Sequence, residues 1–236
     1  MKSLKNWDNK TWLSSQKYIQ SFNKFLLNQV KLDKNSRILD VGCGRGRILA
    51  NLSNKLKLSN KPIGLDIENH KDKSKKMIFK KIDAFTFVSR TKINFDLILI
   101  KQTIHLLSFY NMKKLINNCK KKLNSNGVIL IFTLDPNNNK IPSFKLMKKK
   151  LNKSLQRDKK ILKLLSNSYS KKFQKKFIFK VKITKKKYIK MIENRFISTL
   201  LPMKKKEILD GIKEINATFN NIIRFNDNLI CIILRK

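Results

Sequence analysis

The stretch Arg37-Ile-Leu-Asp-Val-Gly-Cys-Gly-Arg-Gly-Arg-Ile-Leu-Ala-Asn-Leu52 decides how the rest of the chain is read. A short apolar run, Ile38-Leu39, ends in Asp40. Glycines follow at alternate positions, Gly42, Gly44 and Gly46, and an apolar periodic segment comes next. The whole chain has only 6 glycines, so three in five residues mark a turn where backbone must come close to something. A glycine-rich turn between a first strand and its helix lets a nucleotide-like cofactor lie against bare backbone. The spacing departs from the dinucleotide fingerprint GxGxxG: the third position of that pattern is Arg47, and a glycine stands one residue early, at Gly46.

Reading outward, strands and helices alternate. Segments 36–42, 61–67, 77–83, 95–103 and 128–134 read as short buried strands, with a turn at 124–127 before the last. Segments 45–56 and 110–123 read as helices, the second amphipathic with lysines outside. Such alternation predicts a parallel sheet with helices on both faces. Before it, Trp12, Tyr18, Ile19, Phe22, Phe25 and Leu26 recur at helical spacing. After it come a basic helical stretch from Leu146 to about Leu165, a strand over 176–183, helices over 186–196 and 204–215, and strand material over 221–236, interrupted by Asn226-Asp227-Asn228. No repeat or long linker divides the chain, so one domain is expected over 1–236: a helical cap at 1–30, a core at 31–136, a covering region at 137–220 and a last strand at 221–236.

Composition narrows the classes. The net charge is +40, from 55 Lys and Arg against 15 Asp and Glu. That could mark a polyanion partner. Yet only 8 of the basic residues are arginine, and Lys, Asn and Ile are abundant together, which suits a coding bias toward A and T. Arginine, which reads bases and clamps phosphates best, is not enriched. The longest apolar runs are far below the roughly 18 residues of a membrane span. The start of the sequence has no apolar signal core, and Cys43, Cys119 and Cys231 are odd in number and far apart. A cytoplasmic protein with reduced thiols, no membrane partner and no metal is the expectation.

The pattern Asp40-x-Gly42-x-Gly44-x-Gly46 resembles motif I of the class I S-adenosylmethionine-dependent methyltransferases, and the resemblance extends over roughly 30–136. It implies a Rossmann-like, doubly wound, seven-stranded and mostly parallel sheet, with a helical insertion before the last strand. It also implies S-adenosyl-L-methionine as cofactor. The loop Asp40, Gly42, Cys43, Gly44 and Gly46 would pass the methionine part. Asp66, followed by Ile67, would hold the ribose hydroxyls, and Asp83, followed by Ala84, would face the adenine amino group. Phe95-Asp96 matches the common opening of the fourth strand. Four of the few acids thus fall in order at strand ends or starts. A weaker resemblance, carried by 99–107, 127–136 and a Met-x-x-x-Arg-Phe-x-Ser core at 191–198, points to a poorly characterised branch of small-molecule type.

Methyl transfer from a sulfonium is an in-line displacement, so the protein mainly aligns and desolvates the acceptor, and a base is needed only if the acceptor must lose a proton. Residues after the fourth strand, from Lys101 to His105, should face the methyl group. Lys101 and Gln102 read as cofactor or sheet-edge contacts rather than reacting groups. His105 is either a base, with an unperturbed pKa of about 6.5, or a packing residue. No Asn/Asp-Pro-Pro-aromatic motif and no Pro-Cys pair stands there, which counts against amino-methylation of nucleic acid and against a cysteine nucleophile. Arg195 could pair with an acidic acceptor or form a surface ion pair with Glu193 or Glu214; Phe196 beside it is a candidate acceptor contact. The expected activity is methylation of a small-molecule acceptor. The alternatives are an RNA- or ribosome-directed enzyme and a non-catalytic cofactor-binding domain.

Overall fold

The computed structural model describes residues 9–168 and 174–236; residues 1–8 of the expected cap lie outside them. One sheet of seven strands organises the chain, in the order β3-β2-β1-β4-β5-β7-β6. Its strands are β1 (Ile38–Val41), β2 (Ile63–Asp66), β3 (Ile78–Lys81), β4 (Phe95–Lys101), β5 (Leu123–Leu134), β6 (Gln174–Thr184) and β7 (Ile222–Arg235). Neighbours from β3 through β5 pair parallel, and β7 pairs antiparallel with both β5 and β6. The chain order reverses between β1 and β4, and at such a switch point the strand ends part to leave a crevice.

The central strands are apolar on both sides because both faces are covered. On one face α1 (Gln16–Leu27) and α2 (Arg47–Leu56) pack with α6 (Lys185–Glu193) and α7 (Lys205–Thr218). On the other lie α3 (Ala84–Arg90) and α4 (Phe109–Lys121). The long α5 (Lys145–Ser168) serves both. Its Met147, Leu151 and Leu155 join the first core, while Ile161 and Leu165 join the second. It therefore crosses over the sheet at the carboxyl ends of its strands.

The cap is tied down by aromatic edges. Tyr18 and Phe22 meet Phe177 at centroid distances of 5.7 and 5.3 Å, and Phe22 meets Phe132 at 4.7 Å, within the range where ring pairs add to area burial. α6 and α7, with a short turn at Ser198–Leu200, form the insertion before the last strand.

Two expectations change. Asn226-Asp227-Asn228 does not interrupt the last strand: β7 is continuous, with Asp227 opposite Phe179. The polar triplet is tolerated because its side chains find partners, Trp12 Nε1 donating to Asp227 at 3.0 Å and Asn228 Nδ2 donating to the Asn138 carbonyl at 2.6 Å. The turn expected at 124–127 is a bulge inside β5. Phe95 pairs with Leu123 but Leu97 with Val128, so those four residues swell out opposite Asp96. Asn124 Nδ2 donates to Asp96 Oδ1 there at 2.6 Å. The helix α3, which the sequence pattern did not signal, is capped by Asp83.

Candidate cofactor and acceptor site

The carboxyl ends of β1, β2 and β4 meet at the switch point and bring the glycine loop, Asp66 and residues 101–105 together. Gly42, Gly44 and Gly46 all have left-handed φ, 78°, 54° and 68°. For two of them the close neighbour is the protein itself. A Cβ on Gly42 would stand 2.1 Å from Thr103 Oγ1, and one on Gly46 would stand 2.1 Å from Met77 Sδ. The loop is thus wedged between the turn after β4 and the approach to β3. Its amides are spent in an ordered way: Gly42 and Cys43 donate to the Leu65 carbonyl at 2.8 and 2.9 Å, and Gly44 donates to Asp66 Oδ2 at 2.8 Å. Asp66 Oδ1 accepts from the Glu68 amide at 2.9 Å. The acid at the end of β2 is thereby locked beside the glycine loop, with lone pairs left on both oxygens. Cys43, half-buried, packs over Gly64, where a Cβ would lie 2.7 Å from its Sγ.

Asp40 is the most unusual group of the site. It is 4% exposed and its Oδ1 has no hydrogen-bond partner. Burial pushes its carboxyl up to about 7, against the pull of Lys101; the Asp66 charge adds to the rise. A buried carboxylate short of a partner is costly unless a cationic or donor group arrives. Ile67 next to Asp66 is 64% exposed, an apolar surface at the rim of the same crevice. Asp83 is placed otherwise: its carboxylate caps α3, accepting from the Thr86 amide at 2.9 Å and from the Thr86 hydroxyl. Those hydrogen bonds hold its carboxyl below the ordinary range. Ala84 is the first residue of that helix.

At the end of β4, Lys101 is 7% exposed and turns under the cap. Its ammonium lies 5.4 Å from the Tyr18 ring centroid and 5.5 Å from that of Phe22, in the cation–π range. Nζ also reaches Gln102 Oε1 at 3.4 Å. Gln102 itself has φ 52°, a left-handed residue at the turn. His105, in the short 3-10 turn Ile104–Leu106, is half-buried, and burial, aided by the Arg157 charge, lowers it to about 4. The imidazole is therefore neutral at pH 7 and a weak base.

Other groups at this edge gave no sequence signal beyond rarity. Arg45, one of 8 arginines, is buried and its Nε donates to Asp72 Oδ1 at 2.6 Å. It staples the segment after β2 to the glycine loop. On the cap side, Asp227 is 1% exposed, with Trp12 as donor and the Tyr18 hydroxyl nearby but out of hydrogen-bond geometry. Burial raises its carboxyl, while the Trp12 hydrogen bond and the Lys101 charge oppose the rise. From the crossing helix α5, Arg157 donates to the Leu107 carbonyl, and the neighbouring Asp158 is buried and pushed up to about 6 by that burial. Among the described residues no cluster of three or more His, Cys, Asp or Glu could hold a metal ion, and no helix is long and apolar enough to cross a membrane.

Arg195 and Phe196 both serve the local fold. The Arg195 guanidinium donates to the carbonyls of Leu200 and Leu201, closing the turn after α6. Neither expected ion pair forms: Glu193 faces Lys190, and Glu214 accepts from the Lys145 amide. Phe196 is 2% exposed, edge-on to Trp12 at 5.5 Å and Tyr188 at 5.8 Å. Orphan carbonyls need donors and large rings need cover, and these two residues meet those needs.

The comparisons agree with this fold. Residues 32–197 match the family described as a methyltransferase domain. The chain belongs to that family and is an S-adenosylmethionine-dependent methyltransferase. A putative methyltransferase from an antibiotic biosynthesis pathway of Anabaena variabilis shares the fold at a TM-score of 0.62 and 14% identity, over 90% of this chain and 96% of that one. A SAM-dependent methyltransferase from Thiobacillus denitrificans, in complex with S-adenosyl-L-homocysteine, aligns at 0.57 and 13%, over 99% and 97%. The plantazolicin methyltransferase BpumL, in complex with a triazolic desmethylPZN analog and S-adenosylhomocysteine, aligns at 0.53 and 17%, over 98% and 88%. Among curated proteins none matches the sequence significantly.

Proposed function

We propose that this enzyme methylates a small-molecule acceptor by in-line displacement. The observation that carries the reading is the closure of the β4 end. Lys101 lies under the rings of Tyr18 and Phe22, and α5 crosses above. An edge that lies between the cap and a crossing helix suits a compact acceptor better than a polymer lying in an open track. A neighbour of the same fold is a plantazolicin methyltransferase bound to a desmethylPZN analog, which supports the same class.

The residues present fit the cofactor. When bound, S-adenosylmethionine supplies a methyl group activated by its sulfonium. Asp40 would receive the cofactor ammonium, which answers its orphan oxygen. Asp66 would accept from the ribose hydroxyls, and Ile67 would pack against the base, with Asp83 and Ala84 at its far side. The glycine loop would pass the methionine part. His105, neutral at pH 7, would accept or donate one hydrogen bond to orient the acceptor. Lys101 and Asp227 would form a buried polar layer behind the acceptor side, covered by Trp12 and Tyr18. The free thiols of all three cysteines support a reducing, cytoplasmic setting.

The test is incubation of purified protein with methyl-labelled cofactor and separate metabolite and RNA fractions. Label entering a metabolite fraction, and lost in Asp40→Asn, is the expected result. Label entering RNA alone would replace the small-molecule reading. Cofactor binding with no label in any fraction would favour a non-catalytic domain.

A further inference from the structure

β6 and β7 run on past the edge of the sheet. Leu134, the last residue of β5, pairs with Leu229, but the β6–β7 ladder continues to Thr184 opposite Ile222. Those seven further residues of β7 span about 24 Å at ~3.4 Å per residue. At the far end this ribbon, α6, the end of α7 and the segment before Trp12 enclose a cavity of about 1110 Å³. It is large enough for a drug-sized molecule, and no residue of the glycine loop lines it. Trp12 forms the partition: its ring meets Phe196, which lines the cavity, while its Nε1 holds Asp227 on the other side.

The cavity has two chemistries. Ile189 and Ile222 give it an apolar floor, backed by the buried Met191 and Phe196. Ile222 is 37% exposed there, and a strand residue of that kind is more often covered. The rim is cationic. Lys185 is spent on the carbonyls of Asn216 and Phe219 at 3.0 and 2.9 Å, closing the end of α7. Lys190 faces Glu193 at 3.4 Å, and Glu193 is the one acid of the lining. Lys10, Lys186 and Lys187 are left around the opening, and among the described residues none has an acid or a carbonyl as side-chain partner. Three ammonium groups facing an apolar surface favour a ligand that brings an anion to the rim and carbon to the floor.

We propose that this cavity is a binding site for an amphiphilic anion, a molecule with an apolar body and one terminal carboxylate, sulfonate or phosphate. The body lies on Ile189 and Ile222, and the acid lies among Lys10, Lys186 and Lys187. The site stands apart from methyl transfer and does not depend on the acceptor being a small molecule.

The probe is anilinonaphthalene sulfonate, titrated by fluorescence into the folded full chain at an ionic strength that screens distant surface charge, about 0.15 M. Two companions are phenylnaphthylamine, which has the body without the acid, and inorganic sulfate, which has the acid without the body. The expected result is one saturable site for the sulfonate and at least about tenfold weaker binding of either companion. Lys186→Glu with Lys187→Glu should weaken the sulfonate by about tenfold with the melting temperature unchanged, and Ile189→Ala should weaken it by about threefold or more in protein that remains folded. The control is Lys159→Glu with Lys160→Glu on the exposed side of α5, an equal change of charge elsewhere, which should move binding less than about twofold. Equal loss in the control would mean that the overall charge attracts the probe and would overturn the proposal. So would equal binding of sulfate or of the neutral analogue, and so would the absence of saturation.

Discussion

Asp40→Asn should make the free protein more stable while impairing the enzyme. The carboxyl of Asp40 is raised from an ordinary 3.8 to about 7 in the fold. Its contribution therefore favours the folded state below pH ~4, where both states hold the proton, and is lost as pH rises through about 7. Above that, the fold holds a buried carboxylate with one unpartnered oxygen. A displacement of about three pKa units, at 1.36 kcal/mol each, bounds the cost at about 4 kcal/mol. Asparagine has the same shape without the charge, so a gain of about 2–4 kcal/mol is expected at pH 8, and little near pH 4. For a chain of this size that is a rise in melting temperature of roughly 4–15 °C. The same substitution should weaken S-adenosylhomocysteine by about 1.5–3 kcal/mol, the value of a hydrogen bond to a charged group. Thermal and denaturant unfolding across this pH range, with calorimetric titration of S-adenosylhomocysteine, measures both. A variant less stable than wild type at pH 8, or one that binds with unchanged affinity, would refute the reasoning.

Gly42→Ala should lower both stability and cofactor affinity, because its Cβ would collide with Thr103 Oγ1 and its φ is left-handed; unfolding and calorimetry on the same sample report it. Phe196→Ala should cost about 3–5 kcal/mol of stability, the range for a buried aromatic ring, read by denaturant unfolding. Trp12→Phe should cost about 1–3 kcal/mol by leaving the buried Asp227 without its donor, and the loss should shrink in the double variant with Asp227→Asn. His105 should make the fold lose stability as pH falls from about 6.5 toward 4, since the unfolded imidazole takes its proton first. His105→Gln should flatten that part of the profile, measured as melting temperature against pH.

Local sequence determined the strands, the glycine loop and the acids at the strand ends. Period, turn chemistry and spacing are written in consecutive residues, so the strand at Ile38–Val41, Asp66 and the glycine turn through Gly46 are all legible in the sequence. The resemblance to motif I rests on the same short range. Tertiary structure decided what those residues touch. Gly42 and Gly46 looked like clearance for a ligand, but the bodies beside them are Thr103 and Met77, distant in sequence. Asn226-Asp227-Asn228 looked like a break, yet strand β7 holds it because Trp12 and Asn138, from the other end and the middle of the chain, supply partners. In sequence Arg195 reads as an acceptor contact or a surface ion pair and Phe196 as an acceptor contact, whereas in the fold Arg195 closes a turn by bonding carbonyls and Phe196 joins a buried aromatic cluster. Whether a polar residue near a crevice binds a ligand or mends the fold depends on which donors, acceptors and apolar faces the folded chain brings within a few ångströms. Sequence spacing along one element does not encode that.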